Sequence, residues 1–265
     1  MTIVISNGLP KSGSTCVTYT CAAIAGRLNG MTTADLESAI GMPDLVDFVP
    51  SPDEELISTI EKANLAHDEM IVLKSHCGLN DFLRQSAKSG QISLVASFRD
   101  PRDIALSMLD AGTIERNAGS SRHFYQFEKL EQVIRPIIFN SKKLADLYRL
   151  PGVCLIPYHL IANDFPFVVD MIADHLNASH LRDQALADMT GRIVDLPEFN
   201  KGIADRFVTE LSDEGLRLVC DNLKEEAALY DLAFCNIMEQ YGRLKEAKRI
   251  IAARDAQISR RLQTN

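Results

Sequence analysis

The chain has 265 residues, 46% hydrophobic and 24% charged, proportions that exclude disordered, collagenous and fibrous chains. Its 28 Lys and Arg face 36 Asp and Glu, for a formal net charge of −8. That balance excludes a sequence-independent grip on nucleic acid or on an anionic membrane, so any anion site must be local.

From the N-terminus, residues 2–6 read as a β-branched strand, followed by a glycine turn and a helix over 14–29. Residues 45–49 are a candidate strand and 52–64 a helix. A strand at 70–74 is followed by a helix at 80–88, and a strand at 92–98 by a helix at 101–110. The stretch 111–123 has two glycines, small polar residues and no periodicity, and reads as a loop or lid. A helix over 124–149 leads to a strand at 153–157, and further helices are expected at 165–176, 179–189 and 212–230. Strands alternating with helices predict an α/β fold: a parallel sheet of four or five strands flanked by helices. One such domain is expected over 1–235.

Residues 236–265 form a separate piece, with seven Lys/Arg against three Asp/Glu. Ile237, Leu244, Ile251 and Ile258 recur every seven residues, one apolar stripe on an extended C-terminal amphipathic helix. That helix either packs on its own domain or joins two copies into a homodimer. The six cysteines, Cys16, Cys21, Cys77, Cys154, Cys220 and Cys235, form no CxxC pair. They are expected as reduced, mostly buried thiols of a cytoplasmic protein. No membrane span or targeting segment is expected either.

The first turn, Gly8-Leu9-Pro10-Lys11-Ser12-Gly13-Ser14-Thr15, joins a strand to a helix start, where backbone N–H groups and the helix dipole favour a phosphate. It departs from the Walker pattern, which needs Lys directly after the second glycine and a metal-holding acid at a strand end. Ser14 occupies the lysine position, and the lysine sits within the turn as Lys11. A second strand–turn–helix, Arg99-Asp100-Pro101-Arg102-Asp103-Ile104-Ala105-Leu106-Ser107, puts Pro101 at a first helical position. Arg99 and Ser107 can reach one phosphate, although Arg-Asp-Pro-Arg-Asp is also the pattern of an ordinary ion-paired helix start. Two anion sites at neighbouring strand ends imply a ligand with two separated phosphate groups.

Together, Lys11 to Thr15 and Arg99 to Ser107 resemble the two nucleotide-binding motifs of the sulfotransferase family, whose P-loop-like enzymes use 3′-phosphoadenosine 5′-phosphosulfate (PAPS). The first is similar to the 5′-phosphosulfate loop and the second to the 3′-phosphate motif. Lys74-Ser75-His76 resembles the element carrying the catalytic histidine in the cytosolic branch. Tyr158 opens a stretch similar to the one whose tyrosine lies by the adenine, and Phe199-Asn200-Lys201-Gly202 resembles the loop that closes over the 3′-phosphate. The chain departs from the family at three positions: Cys16 replaces a bulky aromatic, His159 a glutamate and Asn200 an arginine.

The resemblance implies sulfuryl transfer to a hydroxyl or amine of a small-molecule, lipid or glycan acceptor, leaving 3′,5′-ADP. Lys11 would stabilise the leaving phosphate, and His76, whose side chain has an intrinsic pKa of about 6.5, would be the general base. Lys11, His76 and Ser107 are the expected catalytic residues. Lys11, Ser12, Gly13, Ser14, Thr15, Cys16, Arg99, Ser107, Tyr158, Lys201 and Gly202 are the expected cofactor-binding residues. No metal is expected, since no HExxH motif or clustered Cys/His ligand set occurs. The alternatives are a Mg²⁺-dependent P-loop kinase and a noncatalytic nucleotide-binding scaffold.

Overall fold

A computed structural model describes residues 2–26, 49–62, 70–193 and 201–263. They fall into two compact units: 1–98 with 146–202, and 99–145 with 203–265.

The first unit is built on four parallel strands, β1 (Thr2–Asn7), β2 (Met70–Ser75), β3 (Ile92–Phe98) and β4 (Val153–Pro157), in the order β2-β1-β3-β4. Ile5 of β1 lies opposite Leu73 of β2 and Leu94 of β3, and Ser97 of β3 opposite Ile156 of β4. From Ile3 onward β1 is wholly buried, whereas β2, which among the described strands pairs with β1 alone, is buried only at alternate residues. The chain leaves β1 to one side for β2 and returns to the other for β3. The ends of β1 and β3 therefore diverge at a switch point, where such sheets bind ligands.

Helices α1 (Ser14–Ile24), α2 (Glu54–Lys62) and α3 (Asp81–Ser89) follow β1 and β2 in this unit. Asn80 caps α3 by accepting from the Leu83 N–H at 2.8 Å. Ile3, Ile5, Leu56, Ile57, Ile60, Ile71, Leu73 and Leu94 fill one core. The candidate strand at 45–49 lies outside the described residues except for Val49, whose N–H donates to the Lys74 carbonyl and whose carbonyl accepts from Ser75 Oγ. The helix expected over 14–29 is described to Ile24.

The second unit contains α4 (Pro101–Asn117) and most of α5 (Leu130–Arg149), which ends in the first unit. After β4, α6 (Tyr158–Asn163), α7 (Phe165–His175) and α8 (Arg182–Thr190) belong to the first unit, and α9 (Phe207–Glu210), α10 (Asp213–Asn222), α11 (Lys224–Gln240) and α12 (Leu244–Gln263) to the second.

The structure corrects four helix boundaries. The loop expected over 111–123 is helical through Asn117, because Gly112 serves close packing instead of a turn. A Cβ there would lie 2.6 Å from the carbonyl oxygens of both Phe124 and Phe127. Arg116 clamps that crossing segment by donating to the carbonyls of Tyr125 and Phe127, which is why the next helix starts at Leu130 and not at 124. The helix expected over 212–230 breaks at buried Leu223, which has φ −115°. The C-terminal helix starts at Leu244, after a turn in which Gly242 has φ 71°. Its inward stripe is Ala247 and Arg254, with Ile251 and Ile258 half-buried beside them, so the heptad face lies against its own unit.

Among the described residues no helix is long and apolar enough to cross a membrane. All six cysteines are free.

Candidate functional site

The turn between β1 and α1 is fixed from the sheet side. The Gly8 N–H donates to the Ser75 carbonyl and the Leu9 N–H to the Ser97 carbonyl. Ser12 is fully buried, and its Oγ sits 2.5 Å from the Leu9 carbonyl and 2.7 Å from Ser97 Oγ. Its hydroxyl thus shapes the turn. Gly8 is required by crowding, since a Cβ would lie 2.3 Å from Ser97 Oγ. Lys11 (φ 62°) and Gly13 (φ 86°) both adopt the left-handed conformation that bends the chain into α1.

A helix leaves its first backbone N–H groups without intrahelical acceptors, and at α1 these lie against the turn that carries Lys11. The donor set of one lysine, a helix N-terminus and a glycine turn fits an anionic phosphate-type group.

Beside this turn β2 contributes two side chains. Lys74 Nζ donates to Thr15 Oγ1 at 2.9 Å, so a second cation stands at the first turn of α1. His76 Nδ1 lies 2.5 Å from the Gly8 carbonyl. A carbonyl only accepts, so Nδ1 carries the proton and Nε2 is the basic nitrogen. Tyr158, at the start of α6, packs its ring against the turn from the other side, with a Cβ at Gly13 falling 3.0 Å from Tyr158 Cδ2. Cys16 is a buried thiol whose pKa burial raises to about 12, so it is neutral.

In the second unit Asp100 caps α4 by accepting from the Arg102 N–H at 2.9 Å, with Pro101 in the first turn. Arg99 Nε and Nη2 donate to Asp103 Oδ2 at 3.3 and 3.2 Å, and Nη2 also donates to the Ile203 carbonyl at 3.1 Å. Arg102 Nη2 donates to Asp100 Oδ2 at 2.6 Å, and its guanidinium lies 4.6 Å from the centre of the Phe207 ring. Asp103 also accepts from the backbone N–H groups of Asp205 and Phe207. The ion-paired helix start is therefore present, and Ser107 lies buried in the same helix.

Burial would raise the Asp100 pKa, but Arg102 and Arg254 outweigh it and hold the carboxyl below its usual range. Burial raises Asp103 despite Arg99, with Asp100 adding to the rise. Asp205 is raised to about 6 by burial and by the charges of Asp100 and Asp103.

The structure thus brings Lys11, Ser12, Gly13, Ser14, Thr15, Cys16, His76 and Tyr158 together in the first unit. Arg99 and Ser107 lie on the second-unit motif. Lys201 is exposed and Gly202 has φ 66°, while Phe199 and Asn200 lie outside the described residues.

Sequence reasoning missed the Lys74 contact with Thr15, although the position of Lys74 at a strand end beside the glycine turn was a usable signal. It also missed Arg254 and Asp231, which pair at 2.7 Å, with Arg254 Nη1 reaching Asp100 Oδ2 at 3.1 Å. Arg254 and Asp100 stand 154 residues apart, and no local pattern marks such a pair. No group of His, Cys, Asp and Glu able to hold a metal ion occurs among the described residues.

A parallel sheet in the order 2-1-3-4, with a glycine turn after its first strand at the switch point, defines an α/β fold. More specifically, it is the sulfotransferase fold. Mouse sulfotransferase SULT7A1 complexed with PAP superposes with a TM-score of 0.56 over 90% of this chain and 88% of that one, at 15% identity. Retinol dehydratase complexed with retinol and PAP gives a TM-score of 0.53 over 84% and 80% of the two chains, at 14% identity. The sequence matches no protein-family description and no curated protein.

Proposed function

We infer that this protein transfers a sulfuryl group from PAPS to a hydroxyl or amine of a small acceptor. The observation that carries this reading is the 2.5 Å bond between His76 Nδ1 and the Gly8 carbonyl. It links the expected base to the expected phosphosulfate turn and sets the base's tautomer. PAP, the 3′,5′-ADP left after sulfuryl transfer, is bound in both fold neighbours' structures, which supports the same nucleotide here.

PAPS supplies the sulfuryl group for an in-line displacement by the acceptor. Lys11, Lys74 and the N-terminus of α1 neutralise charge at the leaving 5′-phosphate. His76 Nε2 takes the acceptor's proton as the new S–O or S–N bond forms. Arg99 and Ser107 take the 3′-phosphate, with Lys201 and Gly202 as further contacts, and the ring of Tyr158 serves the adenine. Ser12 and Cys16 act on the turn through packing and hydrogen bonding instead of through the ligand.

Titration calorimetry with 3′,5′-ADP and 5′-AMP tests the nucleotide assignment. A charge-assisted hydrogen bond contributes about 1.5–3 kcal/mol, so 3′,5′-ADP should bind at least about 10-fold tighter. Arg99→Ala should erase most of that ratio with little change for 5′-AMP. Equal binding of the two nucleotides by the wild type would remove the reading's main support. Sulfuryl transfer from labelled PAPS to a panel of alcohols, phenols and amines then tests the reaction.

A further inference from the structure

The start of α4 is held by a residue far away in sequence. Asp100 Oδ1 accepts from the N–H and Nε of Arg102, both at 2.9 Å. Its Oδ2 accepts from Arg102 Nη2 and from Arg254 Nη1. Arg254 belongs to α12 and is 4% exposed. Its guanidinium donates bidentately to Asp231 of α11, with Nη1 to Oδ1 at 2.9 Å and Nη2 to Oδ2 at 2.7 Å. The same Nη2, together with Nε, reaches Asp255. One helix of the C-terminal region thus reaches, through an arginine held by the helix before it, the carboxylate that caps α4, one residue after Arg99.

A cap held only by its own helix could turn with that helix. Asp100 is also tied to a second element by the single bond from Arg254 Nη1, and that guanidinium is itself held in a narrow range of geometries by its bidentate contact with Asp231. Arg102 could neutralise Asp100 alone, so the additional bond contributes direction more than charge. α12 is itself fixed to the unit elsewhere. Arg261 donates to the carbonyls of Val208 and Leu211 and to Asp213, and Arg217 donates to the Leu262 carbonyl.

We propose that Arg254 is a positioning residue for the nucleotide's 3′-phosphate: it fixes Asp100, and through it the first turn of α4, at the orientation in which Arg99 and Ser107 meet one phosphate. The assignment rests on the 3′-phosphate reading of Arg99 and Ser107 given above. Arg254 does not touch the ligand. It gives the C-terminal helix a part in nucleotide discrimination in addition to its part in packing.

The test uses the full chain with Arg254→Lys and Arg254→Gln. A lysine keeps the charge but has no fork to reach Asp100 and Asp231 together; glutamine removes the charge. The ratio of 5′-AMP to 3′,5′-ADP dissociation constants, read by calorimetry, should fall about 3-fold or more for Lys and about 10-fold for Gln, with 5′-AMP affinity within 2-fold of wild type. If Gln does not fold, Lys decides on the same criterion. In an Asp100→Asn background Arg254→Lys should change the ratio no further, which separates action through Asp100 from general loosening. An unchanged ratio in the folded Lys variant, or equal weakening of both nucleotides, overturns the proposal.

Hydrogen exchange of the Arg102 amide without nucleotide is the independent readout, since that amide donates to Asp100. Arg254→Lys should speed its exchange at least 10-fold while leaving the β1 and β3 amides unchanged, and no change would overturn the positioning role. If the wild type lacks 3′ preference but this exchange effect appears, the 3′-phosphate reading has failed while the Arg254–Asp100 coupling stands.

Discussion

At the scale of single residues, the glycine turn after β1 is built from unlike side chains. Ser12 and Gly8 are consumed by the approach of Ser97, while Lys11 lies within the turn and Lys74 and His76, the proposed base, stand beside it. His76→Ala should lower turnover by about 10²–10⁴-fold, the usual contribution of a general base, with 3′,5′-ADP affinity nearly unchanged in calorimetry. Lys11→Ala should lower both quantities, because in the proposed reaction the lysine meets the anion before and during transfer. A parallel loss of affinity in His76→Ala would mean that its bond to Gly8 only builds the turn.

Asp205 makes a separate prediction about stability. Its folded pKa of about 6, raised mainly by burial, lies above the ordinary 3.8. The contribution of its protonated form is therefore fully present below about pH 4 and is lost as pH rises through about 6. Asp205→Asn, which keeps a residue tolerant of φ 58°, should remove that loss. Chemical denaturation should find it about 1–3 kcal/mol more stable than wild type at pH 7, with the difference gone at pH 4.

At the scale of elements, Gly112 belongs to a helix for the sake of its neighbours. Gly112→Ala would push a methyl group against two carbonyl oxygens and should cost about 1–3 kcal/mol, the usual penalty of overpacking, outweighing alanine's helix propensity of about 1 kcal/mol. A variant of unchanged or higher melting temperature would show that the 124–127 segment yields. This glycine also shows why part of the fold escaped the sequence: beside Gly119 and a run of small polar residues it looks like a breaker, and its reason lies 12 and 15 residues downstream. The strands 92–98 and 153–157 were legible to the residue because β-branched runs end there in charge or turn residues. The positions of the glycine turn with Lys11, of His76 and of Arg99 were legible for the same reason, since each follows the end of a strand. Arg254 was not, because an arginine on a polar helix reads as solvated, and nothing local distinguishes the one that turns inward.

At the scale of the molecule, a chain of net charge −8 can hold the proposed anionic nucleotide only through local cations, and the question is whether side chains alone suffice. A kinase of related architecture holds Mg²⁺ with an acid at a strand end. Here the acid nearest the end of β3 is Asp100, which is occupied by Arg102 and Arg254. Lysines and a helix N-terminus serve the turn instead, so nucleotide binding and turnover should persist in EDTA. Ligand-linked stabilisation gives the measurement: at 100 times its dissociation constant, 3′,5′-ADP should add about 2.7 kcal/mol. The resulting rise in melting temperature should be the same with EDTA or with added Mg²⁺. ATP lacks a 3′-phosphate and should give a smaller rise in either buffer. A shift that appears only with Mg²⁺, or is larger for ATP than for 3′,5′-ADP, would transfer the assignment to a metal-dependent kinase, with Asp100 released from its arginines to meet the ion.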